Sequence, residues 1–376
     1  MRVTAAVLGR TSAKAPFASS RPLELEELTL ERPGPGEVLV RVGAAGVCHS
    51  DLSVVDGVRP RPVPMVLGHE AAGIVEEVGP GVHHVRPGDH VVFAFVPSCG
   101  DCVPCLSGRP ALCERGAAAN TAGTLLSGRR PFARPDGSPV NQHLGVSAFA
   151  ERTVAAAASV VPVPAELPFE QAALFGCALL TGVGAVLNTA KVEPGSSALV
   201  VGLGGVGLAA VMGARLAGCE TIVAVDLDPA KFELARALGA SDAVLVGEEA
   251  AGAVHELTRG GADYAFEAAG HPDALAFAYA ATRRGGTTVG IGLPHPDQRY
   301  ALPALSLVTE ERRLVGSYMG SSVPRRDIPR YVRLFQQGRL PVDLLAGGTF
   351  ELAAVNEAMD ALAAGAVARQ VLVMSG

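Results

Sequence analysis

Apolar and polar positions divide the chain into two parts with different periodicity. In the first ~150 residues the apolar residues recur in short runs with a period near two, which is typical of half-buried strands. Such runs are Glu37–Val47, Gly73–Val78 and His90–Phe95, and the turn Pro87-Gly88-Asp89 precedes the last one. Residues 116–147 are rich in Gly, Arg, Pro and Ser, so they predict a long loop without regular structure.

After Pro168 the pattern becomes an alternation of apolar strands and longer helical segments. Predicted strands are Ser197–Val201, Thr221–Val225, Ala243–Val246, Ala262–Phe266 and Thr287–Ile291. Predicted helices are Phe169–Leu187, Leu208–Ala217, a helix capped by Asp228 that ends at Leu238, and Arg325–Gln337. This order predicts an α/β fold with a parallel, doubly wound sheet of the Rossmann type. The tail, Phe350–Met374, predicts strand, helix, strand.

Composition narrows the class of protein. A chain of 376 residues suits two domains, and 49% hydrophobic residues indicate a globular protein. The formal net charge of -6 gives no electrostatic reason to expect a nucleic-acid partner. No uncharged apolar run reaches the ~20 residues that cross a bilayer, and Met1–Gly9 lacks the features of a signal peptide. We therefore predict a cytoplasmic protein without a membrane partner.

Four of the seven cysteines form a cluster with the spacing C-x2-C-x2-C-x7-C. They are Cys99, Cys102, Cys105 and Cys113. Two-residue spacers allow successive thiolates to converge on one ion, and four thiolates describe a closed, structural zinc site. An iron–sulfur cluster uses the same ligand type with related spacings, so it stays open as an alternative. An odd number of cysteines with such a cluster is a poor disulfide framework.

A glycine-rich turn follows the strand that ends at Val201. The segment Gly202-Leu203-Gly204-Gly205-Val206-Gly207 has the pattern G-x-G-x-x-G and opens a helix, as a dinucleotide site requires. Gly202 permits the tight turn, Gly204 the approach of a pyrophosphate, and Gly207 close packing of helix on strand. Asp226 ends the next strand and is followed by Leu227 rather than arginine. A carboxylate there accepts ribose hydroxyls and repels a 2′-phosphate, which predicts NAD rather than NADP.

Three further residues outside the cluster are candidate ligands of a second metal. They are Cys48, His69 and Cys177. A Cys, His, Cys set leaves a fourth zinc position open for water or substrate, as catalytic zinc needs. Taken singly, each of these residues is weak evidence for a metal site, because a lone buried cysteine usually packs as a small apolar residue. Cys219 falls outside both sets, and we interpret it as structural.

Taken together, these motifs resemble the zinc-dependent alcohol dehydrogenases of the medium-chain dehydrogenase/reductase superfamily. The matching motifs are Gly68-His69-Glu70, the four-cysteine lobe, Gly176-Cys177, the glycine-rich turn and Asp226, in the family's order and over nearly the whole chain. The loop from about Gly123 to Phe149 resembles that of the dimeric class I and class III enzymes. The resemblance implies a homodimer with two Zn²⁺ per chain and NAD, acting on a primary or aromatic alcohol or its aldehyde.

The resemblance also implies roles for single residues. Cys48, His69 and Cys177 would bind the catalytic zinc, with Asp51 orienting His69 and Glu70 behind the metal. Ser50 would hydrogen-bond the substrate hydroxyl. Ser53 stands where the animal liver enzymes have the histidine that ends the proton relay, so the last step must use water or another group, and our hypothesis is an exit from Ser50 to water. The implied cofactor contacts outside the glycine-rich turn are His49, Thr181, Asp226, Lys231 and Arg369. The implied substrate-pocket residues are Phe95, His143 and Leu293.

The resemblance implies a discontinuous arrangement of domains. Residues 1–178, with the zinc lobe 97–115, would form a GroES-like catalytic domain to which residues 322–376 return. Residues 179–321 would form the Rossmann domain. Two other functions stay open. One is a formaldehyde dehydrogenase that uses glutathione or mycothiol, with Arg115 as a partner for the thiol's carboxylate, although Asp56-Gly57-Val58-Arg59 lacks the expected acidic stretch. The other is a non-catalytic NAD-binding sensor.

Overall fold

The computed structural model describes residues 1–365 and 369–374, which form two compact units. The first unit contains residues 1–177 and 323–333 and the described residues from 346 onward. The second contains residues 178–322 and 334–345. The division at 177/178 and 322/323 lies within one residue of the boundaries expected from the sequence, but the stretch 334–345 belongs with the second unit. The functional assignment of the domains remains a prediction.

A closed barrel forms part of the first unit. Its strands, in order around the barrel, are Arg2–Leu8, Leu23–Leu30, Phe132–Ala133, Pro139–Gln142 and Met65–Val66. Alternate residues of the first strand point inward, and Val3, Ala5 and Val7 are buried in the barrel core. The short strand Met65–Val66 pairs with Val7 and Leu8, which fixes the chain immediately before the Gly68-His69-Glu70 motif.

A seven-stranded sheet accompanies the barrel. Its strands in order are Val160–Pro162, His90–Phe93, Glu70–Val78, Glu37–Val47, Gln370–Val373 and Thr349–Glu351, with Arg152–Ala156 pairing beside Glu37–Val47. Gly46 pairs with Glu70, and Val47 pairs with Gln370. This register brings together the chain segments just before Cys48, just after His69 and just after Arg369.

The second unit is built on a six-stranded sheet in which all neighbouring strands are parallel. Its order is Asp242–Leu245, Thr221–Asp226, Ser197–Val201, Ala262–Glu267, Thr282–Gly290 and Arg313–Gly316. The connecting helices are Gly205–Ala217, Phe232–Leu238, Ala250–Leu257, Pro272–Ala280 and Ala304–Thr309. Strand order reverses on either side of Ser197–Val201, as in a doubly wound sheet. The predicted α/β fold class is confirmed.

One helical stretch, Phe169–Ala190, is long and apolar enough to cross a membrane, but 78% of its most apolar window is buried in the protein. Burial of that extent is typical of a core helix. The stretch is α-helical at Phe169–Leu174 and Leu180–Gly184 and π-helical at Phe175–Leu179 and Ala185–Ala190. Cys177 therefore lies in a π-helical turn.

The prediction of a structureless loop over residues 116–147 is wrong. A helix spans Glu114–Ala122 and ends at Gly123, which has a positive φ of 66°, and two barrel strands follow. The helix escaped prediction because its run of Ala and Gly carries no apolar stripe. The remaining α-helices of the described chain are Phe17–Ser20, His49–Val55, Val103–Leu106, Pro324–Gln336 and Val355–Ala363. The 3₁₀ turns are Pro110–Leu112, Ala157–Ser159, Pro229–Lys231, Met319–Ser321, Val342–Leu345 and Leu352–Ala354.

Candidate active site

The four clustered cysteines converge in a small lobe of the first unit. The sulfur atoms of Cys99, Cys102, Cys105 and Cys113 all lie within 4.8 Å of one another. Sγ of Cys113 accepts the backbone N–H groups of Cys99 and Gly116, both at 3.3 Å. Hydrogen bonds from backbone N–H groups lower the pKa of Cys102 to about 7. Four converging sulfur atoms, with N–H groups ready to stabilise thiolates, fit a closed tetrahedral zinc site.

The second candidate ligand set is fully buried in the first unit. Ligand atoms of Cys48, His69, Glu70 and Cys177 lie within 4.8 Å of one another. Nε2 of His69 is buried and has no hydrogen-bond partner in the described chain. A hydrogen bond from Cys177 outweighs burial and lowers the pKa of Cys48, and the charge of Arg369 lowers it further. An orphaned imidazole nitrogen beside two thiols, one readily ionised, fits a three-ligand zinc site.

Asp51 fixes the ring of His69 from the side opposite the thiols. Oδ1 accepts Nδ1 of His69 at 3.1 Å and the backbone N–H of Gly68 at 3.1 Å, while Oδ2 accepts the backbone N–H of Cys48 at 3.2 Å. Burial opposes ionisation, but His69 and His143 together hold the pKa of Asp51 well below its usual range. With Nδ1 engaged as a donor, Nε2 carries the lone pair that a metal needs.

Glu70, the fourth member of the second candidate ligand set, forms a buried ion pair with Arg369. Nη2 of Arg369 lies 2.6 Å from Oε2 of Glu70 and 3.7 Å from Sγ of Cys177, and Arg369 is only 3% exposed. The two residues are 299 positions apart in the chain. Sequence reasoning missed this pair, because only the register of the distant strand Gln370–Val373 brings them together.

Two rings pack against His69. The Phe95 ring meets it edge-on at a centroid distance of 5.2 Å, and the His143 ring does so at 5.7 Å. Nε2 of His143 lies 3.4 Å from Oδ1 of Asp51, a contact that the sequence did not reveal. Ser147, whose φ is a strained +53°, braces this turn: its hydroxyl accepts the N–H of His143 and donates to the carbonyl of Val66.

The other residues predicted for this site have the following positions. Ser50 is half-buried in the first turn of the helix His49–Val55, and His49 is exposed. Ser53 donates its hydroxyl to the carbonyl of His49 at 2.8 Å. Arg115 makes an exposed ion pair with Asp101 in the cysteine lobe. In the second unit, Thr181 is buried, Leu293 is 52% exposed, and Cys219 contacts the Ser196 hydroxyl at 3.7 Å.

The glycine-rich turn of the second unit has the shape of a phosphate cradle. Gly202 has a φ of +92°, and a Cβ there would lie 2.7 Å from the backbone nitrogen of Ala269. A Cβ on Gly207 would lie 1.8 Å from the carbonyl oxygen of Gly202, whereas one on Gly204 would meet nothing within 4 Å. The helix Gly205–Ala217 begins here and offers its first N–H groups, including those of Gly205 and Val206.

Asp226 lies beside this turn at the end of its strand. Its carboxylate accepts the backbone N–H groups of Leu203 at 2.6 Å and Asp228 at 3.0 Å, and Nζ of Lys231 at 3.2 Å. These contacts fix the carboxylate next to the place where a dinucleotide's adenosine ribose belongs in this fold. The turn and Asp226 together fit a nicotinamide dinucleotide.

Comparison with known proteins adds two family matches. Residues 34–165 match the alcohol dehydrogenase GroES-like domain, and residues 205–337 match the zinc-binding dehydrogenase model. "Putative alcohol dehydrogenase D" of Mycobacterium tuberculosis (strain ATCC 25618 / H37Rv) is 41% identical, over 99% of this chain and 100% of its own. An S-(hydroxymethyl)glutathione dehydrogenase of Paracoccus denitrificans is 36% identical, over 96% and 99%. The benzyl alcohol dehydrogenase of Acinetobacter calcoaceticus superposes with a TM-score of 0.92 at 32% identity, covering both chains fully.

Proposed function

The chain belongs to the zinc-dependent alcohol dehydrogenases of the medium-chain dehydrogenase/reductase superfamily, and we propose that it interconverts primary or aromatic alcohols and their aldehydes with NAD. Zinc and a nicotinamide cofactor are part of this family assignment. The observation that carries the proposal is the buried set of Cys48, His69 and Cys177 with its orphaned imidazole nitrogen. A screen of short, long and aromatic alcohols with NAD tests it, and no oxidation of any of them would contradict it.

The preference for NAD rests on Asp226. Its carboxylate is held in place by two backbone N–H groups and Lys231, and it can accept ribose hydroxyls. The same charge repels a 2′-phosphate, and the exposed neighbour Leu227 offers no cation to offset it. We expect kcat/KM to be higher with NAD than with NADP. Equal or higher kcat/KM with NADP would overturn this part of the proposal.

Within the site, Cys48, His69 and Cys177 would hold the catalytic zinc, and the four lobe cysteines would hold a structural one. Zinc bound in an open site acts as a Lewis acid that lowers the pKa of a substrate hydroxyl. Ser50 accepts the proton of that hydroxyl and passes it on. Because Ser53 is occupied by a helix carbonyl, the proton leaves through water. The rings of Phe95 and His143 pack beside His69 and exclude water there.

The remaining assignments are parts of the same proposal. Thr181 packs near the nicotinamide, Leu293 lines the pocket, and Lys231 lies along the adenosine ribose. His49 and Arg369 contact the pyrophosphate. Arg369 also pairs with Glu70, so its guanidinium must bind both groups. A Ser50→Ala variant tests the proton path: we expect kcat to fall at least tenfold, with rescue by Ser50→Thr. A full kcat in the alanine variant would remove Ser50 from the path.

A thiol-dependent formaldehyde dehydrogenase is the second candidate, because the relative from Paracoccus denitrificans is named an S-(hydroxymethyl)glutathione dehydrogenase, an enzyme of a glutathione adduct. The exposed pairing of Arg115 with Asp101 speaks against a role for Arg115 in binding a thiol's carboxylate. Formaldehyde oxidation with and without glutathione or mycothiol separates the two functions. A strict requirement for either thiol would favour the second.

We also propose a cytoplasmic homodimer. None of the seven cysteines, all of which the structure describes, forms a disulfide bond, which suits a reducing compartment. The strand Arg313–Gly316 is an edge of the parallel sheet, and the nearby helix Ala304–Thr309 exposes Leu305 by 73% and Val308 by 74%. An exposed edge strand beside apolar side chains suits pairing with a second copy. Light scattering should give twice the chain mass, and Val308→Glu should shift it to the monomer.

A further inference from the structure

Glu267 is a buried carboxylate of the second unit that the proposed mechanism does not use. It ends the strand Ala262–Glu267, where it pairs with Val201 on one side and Gly290 on the other, and it is 2% exposed. No lysine, arginine or histidine of the described chain forms an ion pair with it. A buried carboxylate without a counter-ion is costly unless hydrogen bonds stabilise it. The hydrogen-bond donors around Glu267 therefore indicate its role.

Those partners are backbone N–H groups from two separate turns. Gly270 donates to Oε1 at 2.5 Å, and the N–H groups of Ala269 and His271 also face the carboxylate, while the N–H groups of Ile291 and Gly292 donate to the backbone carbonyl of Glu267 at 2.8 and 3.0 Å. Converging backbone N–H groups of this kind form an anion-binding nest. Burial raises the pKa of the Glu267 carboxyl, and the N–H groups of its own turn oppose that rise. Through its carboxylate and its carbonyl, Glu267 joins the turn after its own strand to the turn after the next strand.

The turn after Glu267 also contacts the glycine-rich turn through its backbone, and the two turns joined by Glu267 contact each other. The N–H of Ala268 donates to the carbonyl of Val201 at 2.8 Å. A Cβ on Gly202 would lie 2.7 Å from the backbone nitrogen of Ala269, and one on Gly292 would lie 2.1 Å from that of Gly270. At such distances a shift of the turn after Glu267 must displace the glycine-rich turn or open a gap against it.

We propose that Glu267 is a positioning residue for the dinucleotide, holding the turn 268–271 against Gly202 and so fixing the phosphate cradle. It touches no substrate in this role and acts through the backbone. The proposal rests on the proposed NAD site at Gly202–Gly207. It predicts that loss of the carboxylate weakens cofactor binding more than it weakens the fold.

The test compares Glu267→Gln with Asp263→Asn. Gln is nearly isosteric but turns an N–H₂ group toward the N–H donors. Asp263 is the second residue of the same strand and lies at its opposite end, where its carboxylate accepts the Ser197 N–H and hydroxyl and pairs with Arg283. Asp263→Asn therefore also removes a hydrogen-bonded carboxylate, but at the end of the strand away from the glycine-rich turn. Tm, zinc content and the Kd values of NADH and ADP-ribose are measured for both variants and the wild type.

For Glu267→Gln we expect the Kd values of NADH and ADP-ribose and the KM for NAD to rise about tenfold or more, since loss of a charged hydrogen bond has about that effect. The kcat at saturating NAD should change less than about twofold, because the zinc ligands lie in the other unit. Asp263→Asn should lower Tm to a similar degree and leave both Kd values unchanged. An unchanged Kd in Glu267→Gln, or an equal rise in Asp263→Asn, would overturn the proposal.

Should Glu267→Gln not fold, Glu267→Asp provides the second test. It keeps the charge but withdraws the oxygens by one methylene, so the Kd of NADH should rise severalfold; an unchanged Kd would overturn the proposal. Failure of the wild-type protein to bind NADH would instead refute the proposed function. The two failures are therefore distinguishable.

Discussion

Replacing Asp51 by asparagine should loosen the catalytic zinc while leaving the fold intact. The carboxylate is fully buried and accepts three hydrogen bonds through two different oxygens, from Cys48, Gly68 and His69. Asparagine has a single oxygen. If that oxygen replaces Oδ1, its N–H₂ group faces the N–H of Cys48; if it replaces Oδ2, the N–H₂ group faces Gly68 and His69. Either orientation leaves at least one buried donor without an acceptor.

The expected magnitude follows from these contacts. A buried donor left unsatisfied costs about 1–3 kcal/mol, and the bond to His69 also loses the carboxylate's charge. A total of about 1.5–3 kcal/mol corresponds to about a 10–100-fold change, the range found when the hydrogen-bond partner of a metal-binding histidine is removed. We therefore expect zinc to leave the catalytic site about 10–100 times more readily, with a similar loss in kcat/KM.

The assay is the competition of purified protein with a chromogenic chelator, followed as the number of zinc ions released per chain. Only the catalytic zinc should become labile, because the cysteine lobe does not contact Asp51. Asp56→Asn is the control: Asp56 is exposed at the end of the same helix and accepts the N–H of Val58 at 2.9 Å. Zinc retention in Asp51→Asn equal to that of the control would refute the assigned role of Asp51.

Three further predictions concern the cofactor turn, the cysteines and acid stability. Gly204→Ala should keep the wild-type Tm but bind NADH at least tenfold more weakly, whereas Gly207→Ala should fail to fold, as thermal melts and fluorescence titration will show. Cys105→Ser should lose about one zinc per chain by metal analysis, and Cys219→Ser should lose none. Burial lowers the pKa of His84, so the unfolded chain takes up this proton before the folded chain does. The stability that His84 contributes is therefore full above about pH 6.5 and declines as the pH falls through the folded-state pKa. His84→Gln should reduce this decline when Tm is measured from about pH 7.5 to about pH 5.5.

Each of these three predictions would be contradicted by a specific result. Normal NADH affinity in Gly204→Ala would mean that the open space above the turn is not the phosphate position. Loss of zinc from Cys219→Ser would require a different ligand set. An identical pH dependence of Tm in His84→Gln and the wild type would show that another group controls acid stability.

Features built within one stretch of chain could be predicted from the sequence. The glycine-rich turn and the cysteine lobe each lie in fewer than about twenty residues, so spacing alone specifies which atoms can meet. The parallel sheet followed from the alternation of apolar strands and helices. By contrast, the helix Glu114–Ala122 has no apolar stripe to reveal it, and the pattern of its segment indicated a loop.

Features that depend on distant segments could not be predicted from local pattern. Glu70 meets Arg369 only because a strand near the end of the chain pairs with Glu37–Val47. Glu267 looks in the sequence like a polar residue that ends an apolar strand, and its burial depends on two turns folding over it. The one local signal was a charged residue followed within three positions by glycine, which is common at strand ends.

The π-helical turn Phe175–Leu179 makes the direction of Cys177 depend on the number of residues in the turn. Because each residue of an α-helix advances by about 100°, removing one residue on either side of Cys177 would restore α geometry and rotate the thiol by about that angle relative to the helix on that side. Substitutions within the turn leave this count unchanged, whereas a deletion of one codon would carry the sulfur away from His69. A one-residue deletion in the turn should therefore disturb the zinc site more than most substitutions within it.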